Sequence, residues 1–358
     1  MGRTAVTRRC AHSRKSIDFV LFWPVRVDVH QHIWTAPLLQ RLTARDALPL
    51  VRHSSGLTVL HCAAEHPYVI DVAAESAARR TALVREDGLD LALVAISSPI
   101  GIEALPRDNA LELIDAHLQG VAALPQEFAA WGPVALDAAE PDDVDDLIAR
   151  GCVGISLPAG AISDPRGLDR VGPLLERIAR RSVPLFLHPG HGRRCSGIEV
   201  AFGEPLWWRA LTDYVMQMQT AWLTFASFGR RDHPNLVVVF AMLAGCGPLQ
   251  SERLETRGGP PIELHDPRVF YETSSYGPVA VEAMARRVGL DQLLYGSDRP
   301  VIEPAVTGRD ALLQANGTSL FAQLGRTAKA PSASTPSAVP ASCEQRDDPS
   351  RPRRISAA

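Results

Sequence analysis

His30 and His32 stand two apart in the segment RVDVHQHI, residues 26–33. Side chains two apart on an extended chain point the same way, so both imidazoles can reach one metal ion. Two more residues of metal-binding type follow apolar runs much later in the chain. His188 closes LFLH in LFLHPG, and Asp298 follows LLYG in LLYGSDRP. Three imidazoles and a carboxylate suit Zn²⁺ or a similar borderline ion and leave room for a water. Asp28 has the parity of His30 and is placed to steady a ligand imidazole.

These residues can meet only if the elements that carry them converge. Eight short apolar runs recur along the chain: 26–33, 91–97, 134–137, 153–157, 183–188, 236–242, 269–273 and 293–296. Each is rich in Val, Ile, Leu or Phe, as strands buried on both faces are. Helical patterns lie between them, at 109–120, 141–150, 168–181 and 279–288. Alternating strands and helices predict an α/β fold with a parallel sheet, and eight units predict a (β/α)₈ TIM barrel. A doubly wound sheet is the runner-up, but no GxGxxG turn is present. Two connections exceed plain barrel loops. Residues 34–90 read as a β-hairpin insertion after strand 1, with LTVLHCA and YVIDVAA flanking a turn at Glu65–Pro67. Residues 189–233 hold a tryptophan-rich helical insertion after strand 5. Both follow strands and so fall at the C-terminal rim, where barrel active sites lie. Trp207, Trp208 and Trp222 read as packing residues of that helix. The histidines outside the proposed site, His117 among them, read as structural or solvated.

The chain of 358 residues is 46% hydrophobic and 22% charged, with a formal net charge of -3. No basic stripe marks a nucleic-acid binder, so a small-molecule substrate is expected. No apolar run is long enough to span a bilayer. The six dispersed cysteines form no CxxC pair, which points to a reducing, cytoplasmic setting. Residues 1–25 read as a basic leader and 26–326 as the barrel. The Pro-, Ser- and charge-rich stretch 327–358 reads as a disordered tail.

VDVHQHIW, LFLHPG and YGSDRPV resemble the amidohydrolase superfamily, and most of all its amidohydrolase-related branch, over roughly residues 26–323. The resemblance implies His30, His32, His188 and Asp298 as ligands of one divalent ion, zinc by expectation. It also gives Asp298 a second role as proton acceptor and makes a homodimer plausible. The branch usually carries a histidine at the end of the sixth strand, where this chain has Met242 in FAMLAGCGP. A thioether cannot transfer a proton, so either Asp298 acts alone as the base or another group substitutes, with His191 as the candidate. The fourth run, GISLPAG, lacks the lysine of a two-metal site. Trp34, Arg299 and Met242 are the candidate substrate-binding residues, Arg299 as a carboxylate clamp. The resulting expectation is a hydrolase of a small amide, lactone or ester through a metal-activated water. The alternatives are a nonoxidative decarboxylase of an aromatic or unsaturated acid, and a catalytically impaired barrel that binds a ligand.

Overall fold

The computed structural model describes residues 25–195 and 203–327, with side chains through Phe321. The leader before Val25 and the tail from residue 328 onward lie outside the described residues.

The first strand, β1 (Val27–Gln31), turns Val27 and Val29 outward. The antiparallel strands β2 (Leu50–Ser54), β3 (Leu57–His61) and β4 (Tyr68–Ile70) follow as a separate sheet. The chain then alternates helices with β5 (Leu91–Val94), β6 (Phe128–Pro133), β7 (Gly154–Pro158), β8 (Leu185–His188), β9 (Val238–Phe240), β10 (Val269–Glu272) and β11 (Leu293–Leu294). Strands β1 and β5 through β11 form one eight-stranded parallel sheet in chain order. The ring closes where the Val29 amide donates to Tyr295 O at 3.0 Å, His32 N to Arg299 O at 2.7 Å and Asp298 N to His30 O at 2.9 Å. This is the expected (β/α)₈ barrel.

Three expectations need correction. The third barrel strand is Phe128–Pro133, not 134–137. Its run FAAWGP is diluted by small residues, so the more apolar VAL that follows drew the assignment. The first insertion has three strands rather than two. The hairpin of β3 and β4 forms as expected, but β2 joins it through a two-residue turn at Ser55 and Gly56, both left-handed. Trp207 and Trp208 are 57% and 46% exposed, so they do not pack inside, whereas Trp222 is buried with its indole N–H on Tyr271 Oη at 3.1 Å. The expected long helix breaks at Thr212 into Trp208–Leu211 and Asp213–Thr224, which turns the first piece away from the core. Among the described residues no helix is long and apolar enough to cross a membrane.

Candidate metal centre

Asp28, His30 and His32 alternate into the ring from β1. His188 ends β8, and Asp298 follows β11 in the left-handed conformation, with φ 56°. Asp tolerates that conformation better than most residues. The four expected ligands come together: one donor atom from each of His30, His32, His188 and Asp298 lies within 4.8 Å of every other. His30 and His32 bring their Nε2 atoms to 3.2 Å, and Asp298 Oδ1 lies 3.2 Å from His32 Nε2 and 3.5 Å from His30 Nε2.

The opposite edge of each ring is tied down. His30 Nδ1–H donates to Glu272 Oε2 at 3.0 Å, His32 Nδ1–H to Ala95 O at 2.8 Å and His188 Nδ1–H to Pro189 O at 2.8 Å. Each partner is an oxygen acceptor, so each Nδ1 carries the proton. All three Nε2 lone pairs then face one another and a carboxylate oxygen. Four acceptors converging without a donor among them are stable only around a cation, and the donor set fits a divalent metal.

Without a metal, a proton takes that place. Burial by itself would lower the His30 pKa, but Asp298 and Glu272 outweigh it and raise the group to about 9. His188 is pushed well below its ordinary value by burial and by His30 and His32. The protonated His30 stabilises the metal-free fold below its ordinary pKa of about 6.5, and this contribution is lost as pH rises through about 9. Metal uptake near neutral pH should therefore expel about one proton. Calorimetry in buffers of different ionisation enthalpy measures this directly; a buffer-independent heat would contradict the assigned protonation.

Glu272, which the sequence reading passed over, is the centre of the supporting shell. It is fully buried at the end of β10. Its carboxylate accepts from His30 Nδ1, from the Ser274 hydroxyl at 2.9 Å, from the Ser274 amide and from the Met242 amide at 3.2 Å. A charged residue in the otherwise apolar run VFYE was the available signal. Asp28 is corrected in role. It holds the backbone, accepting from the amides of His30 at 3.0 Å and Ser297 at 3.1 Å and from Gln31 Nε2 at 2.7 Å, and touches no imidazole. Burial raises its pKa to about 6. His117 is structural rather than solvated: it is buried behind His32, and burial together with His32 pushes it down to about 3.

Gly296 permits this packing. A Cβ there would lie 2.0 Å from Glu272 Oε1. Gly296→Ala should thus cost about 1–3 kcal/mol by overpacking and weaken metal binding by displacing Glu272. Paired urea unfolding and metal titration test this; a variant matching the native chain in both would refute it.

The remaining candidates are not members of the four-residue group. Met242 sits beside the site, buried and left-handed, with its amide on the same Glu272 oxygen as His30. His191 is half-buried, with Nδ1 3.3 Å from Gln217 Nε2, and burial lowers its pKa. It lines a cavity of about 280 Å³ with Ser98 and Glu103. Trp34 and Arg299 line a different cavity, and the Arg299 guanidinium lies 3.3 Å from both Asp87 and Glu303.

Glu103 is buried with only one oxygen satisfied, by the Ser98 hydroxyl. Burial raises its pKa to about 7 from 4.5, against the lowering effect of Ser98. A carboxyl raised in the fold favours folding below about pH 4.5, and that advantage is lost as pH rises through 7. The loss is on the order of 3 kcal/mol. Glu103→Gln should remove it, so the variant gains on the native chain between about pH 4 and pH 8. A pH-independent difference in urea midpoints would refute this.

No protein-family model matches the chain, and no curated protein matches it in sequence. Solved structures do match in fold. The apo form of IDCase from Metarhizium anisopliae has a TM-score of 0.64 at 17% identity, over 84% of this chain and 92% of that one. The 5-carboxyvanillate decarboxylase of Novosphingobium aromaticivorans, solved with manganese, has 0.59 at 16%, over 83% and 96%. An amidohydrolase II structure has 0.58 at 13%, over 84% and 99%. The chain has the (β/α)₈ fold of these solved structures. At these identities the likeness is one of architecture, and the chemistry of this chain must be argued from its own residues.

Proposed function

We propose that this chain is a metal-dependent hydrolase of a small organic substrate: an amide, lactone or ester. The observation that carries the reading is the convergence of three Nε2 lone pairs and the Asp298 carboxylate, with every Nδ1 already committed to an oxygen. A divalent ion held there by His30, His32, His188 and Asp298, zinc by the donor set, would polarise a carbonyl and bring the pKa of a water to about 7. Asp298, with its side chain 13% exposed, is the ligand most open to the rim. It is the group able to accept a proton and return it to a leaving group. The fully buried Phe186 ring packs edge-on against the His30 ring at 5.2 Å and helps hold that imidazole in place. His191 remains the candidate for the proton transfer that Met242 cannot make.

Nonoxidative decarboxylation is the second reading, supported by the decarboxylases among the solved structures of this fold. It needs a cation for the substrate carboxylate, and Arg299 is engaged by Asp87 and Glu303. Metal-loaded protein should be assayed on lactones, esters and amides for hydrolysis, and on hydroxybenzoates and carboxyvanillate for CO₂ release. Hydrolysis abolished by Asp298→Asn supports the first reading. CO₂ release without hydrolysis replaces it with the second, and turnover of neither class overturns both.

A further inference from the structure

The two insertions touch each other. Arg209 Nη1 donates to Ala64 O at 2.8 Å and Arg209 Nε to Glu204 Oε1 at 2.7 Å, and Glu204 lies 3.6 Å from His66 Nε2. Beside these contacts the Tyr214 hydroxyl and the Glu65 carboxyl share a hydrogen bond. Glu65 comes from the turn between β3 and β4, and Tyr214 from the first turn of the helix Asp213–Thr224.

That helix is pinned across the ends of β8 and β9. Gln217 Oε1 accepts from the amide of Gly190, two residues past the ligand His188, at 2.7 Å. Gln219 Nε2 donates at 2.7 Å to the carbonyl of Gly245, three residues past Met242. Gln217 and Met218 are buried, and Tyr214 stands one turn before them on the same face, partly buried against the core. The charge of Asp298, the ligand most open to the rim, reaches the Tyr214 hydroxyl. A phenol thus faces the metal centre from the helix that covers the strand end where Met242 offers no proton.

Burial and Glu65 hold the Tyr214 hydroxyl well above its ordinary value, so it keeps its proton. Burial raises Glu65 to about 7; Asp213 and Glu204 add to this, and Tyr214 and Arg209 oppose it. Cys62 and Cys195, also within reach of Glu65, are raised by burial and stay neutral. A protonated Glu65 donates to Tyr214 Oη and leaves the phenolic proton free for a third group.

We infer, on the hydrolase reading above, that the Tyr214 hydroxyl gives the proton to the leaving group and the Glu65 carboxyl replaces it. Asp298 takes one proton from the attacking water as its oxygen bonds to the carbonyl carbon. When the C–O bond to the leaving alkoxide breaks, the alkoxide takes the Tyr214 Oη proton and Oη takes the Glu65 proton. Asp298 then loses a proton to solvent and Glu65 regains one. With a separate donor, Asp298 needs only to accept.

The test compares an alkyl ester with the p-nitrophenyl ester of the same acid on full-length, metal-loaded protein. Tyr214→Phe should lower kcat for the alkyl ester about 100-fold or more, and leave the p-nitrophenyl ester within about threefold, because that group departs without a proton. In native protein kcat/KM for the alkyl ester should fall as pH rises through about 7, and Glu65→Gln should lose that fall. Position is read apart from turnover. With ¹³C at tyrosine Cζ, the signal lost in Tyr214→Phe identifies Tyr214, and loading with Mn²⁺ in place of Zn²⁺ should broaden it. An unbroadened signal, or equal effects of Tyr214→Phe on the two esters, overturns the role of Tyr214 and leaves the hydrolase reading standing. Native protein that hydrolyses neither ester, nor any lactone or amide, overturns that reading and this one with it.

Discussion

His30→Ala/His32→Ala should lose its metal, with affinity falling on the order of a thousandfold or more. Full structural sites of four protein ligands bind with about 10–16 kcal/mol, so each ligand carries several. The pair supplies two of four donors from one strand, and their Nε2 atoms stand only 3.2 Å apart. What remains, His188 and Asp298, comes from two strand ends and cannot surround an ion. Elemental analysis of native and variant protein, purified without chelator, measures the effect. The variant should still fold, because the ring is held by apolar residues from all eight strands and by the closing hydrogen bonds of β1. Circular dichroism checks that point. Equal metal in both proteins would place the ion elsewhere and remove the basis of the proposed chemistry.

Glu272→Gln should weaken metal binding by about 10–100-fold, although residue 272 would never touch the ion. The carboxylate is what fixes the proton of His30 on Nδ1. An amide at the same place presents an NH₂ as readily as an oxygen, so the ring can turn its lone pair away from the centre. The loss also removes the Glu272 charge, which together with the larger effect of Asp298 raises His30 to about 9. The His30 pKa should therefore fall in the metal-free variant, and histidine NMR titration reads this apart from affinity. A role confined to packing would leave that titration in place. Metal affinity within twofold of native would show that the Ser274 and Met242 contacts, not the His30 contact, are why Glu272 is there.

Several features were legible in the chain itself. The HxH pair, His188 and Asp298 each follow an apolar run, and the alternation of runs with helical patterns sufficed for a parallel barrel. The pairing of His30 with His32 was readable because strand periodicity is local: residues 30 and 32 share a face whatever the rest of the chain does. The β3–β4 hairpin was readable for the same reason. The third strand was misplaced because FAAWGP carries few branched residues and gains its burial from neighbours rather than from its own composition. Trp207 and Trp208 were taken as packing residues because a helical pattern does not reveal that the helix breaks at Thr212.

The sequence by itself determined which side chains could bind a metal and which strands carry them. Only the tertiary structure decided their orientation. That Glu272, Ala95 O and Pro189 O fix three tautomers, that Asp28 grips backbone rather than an imidazole, and that Trp34, Arg80 and Arg299 share a cavity all depend on the fold, through contacts between residues up to 269 positions apart. Such contacts leave no periodicity in the chain. They arise when ring closure sets strand against strand, and the direction of a hydrogen bond is fixed only once both partners are in place.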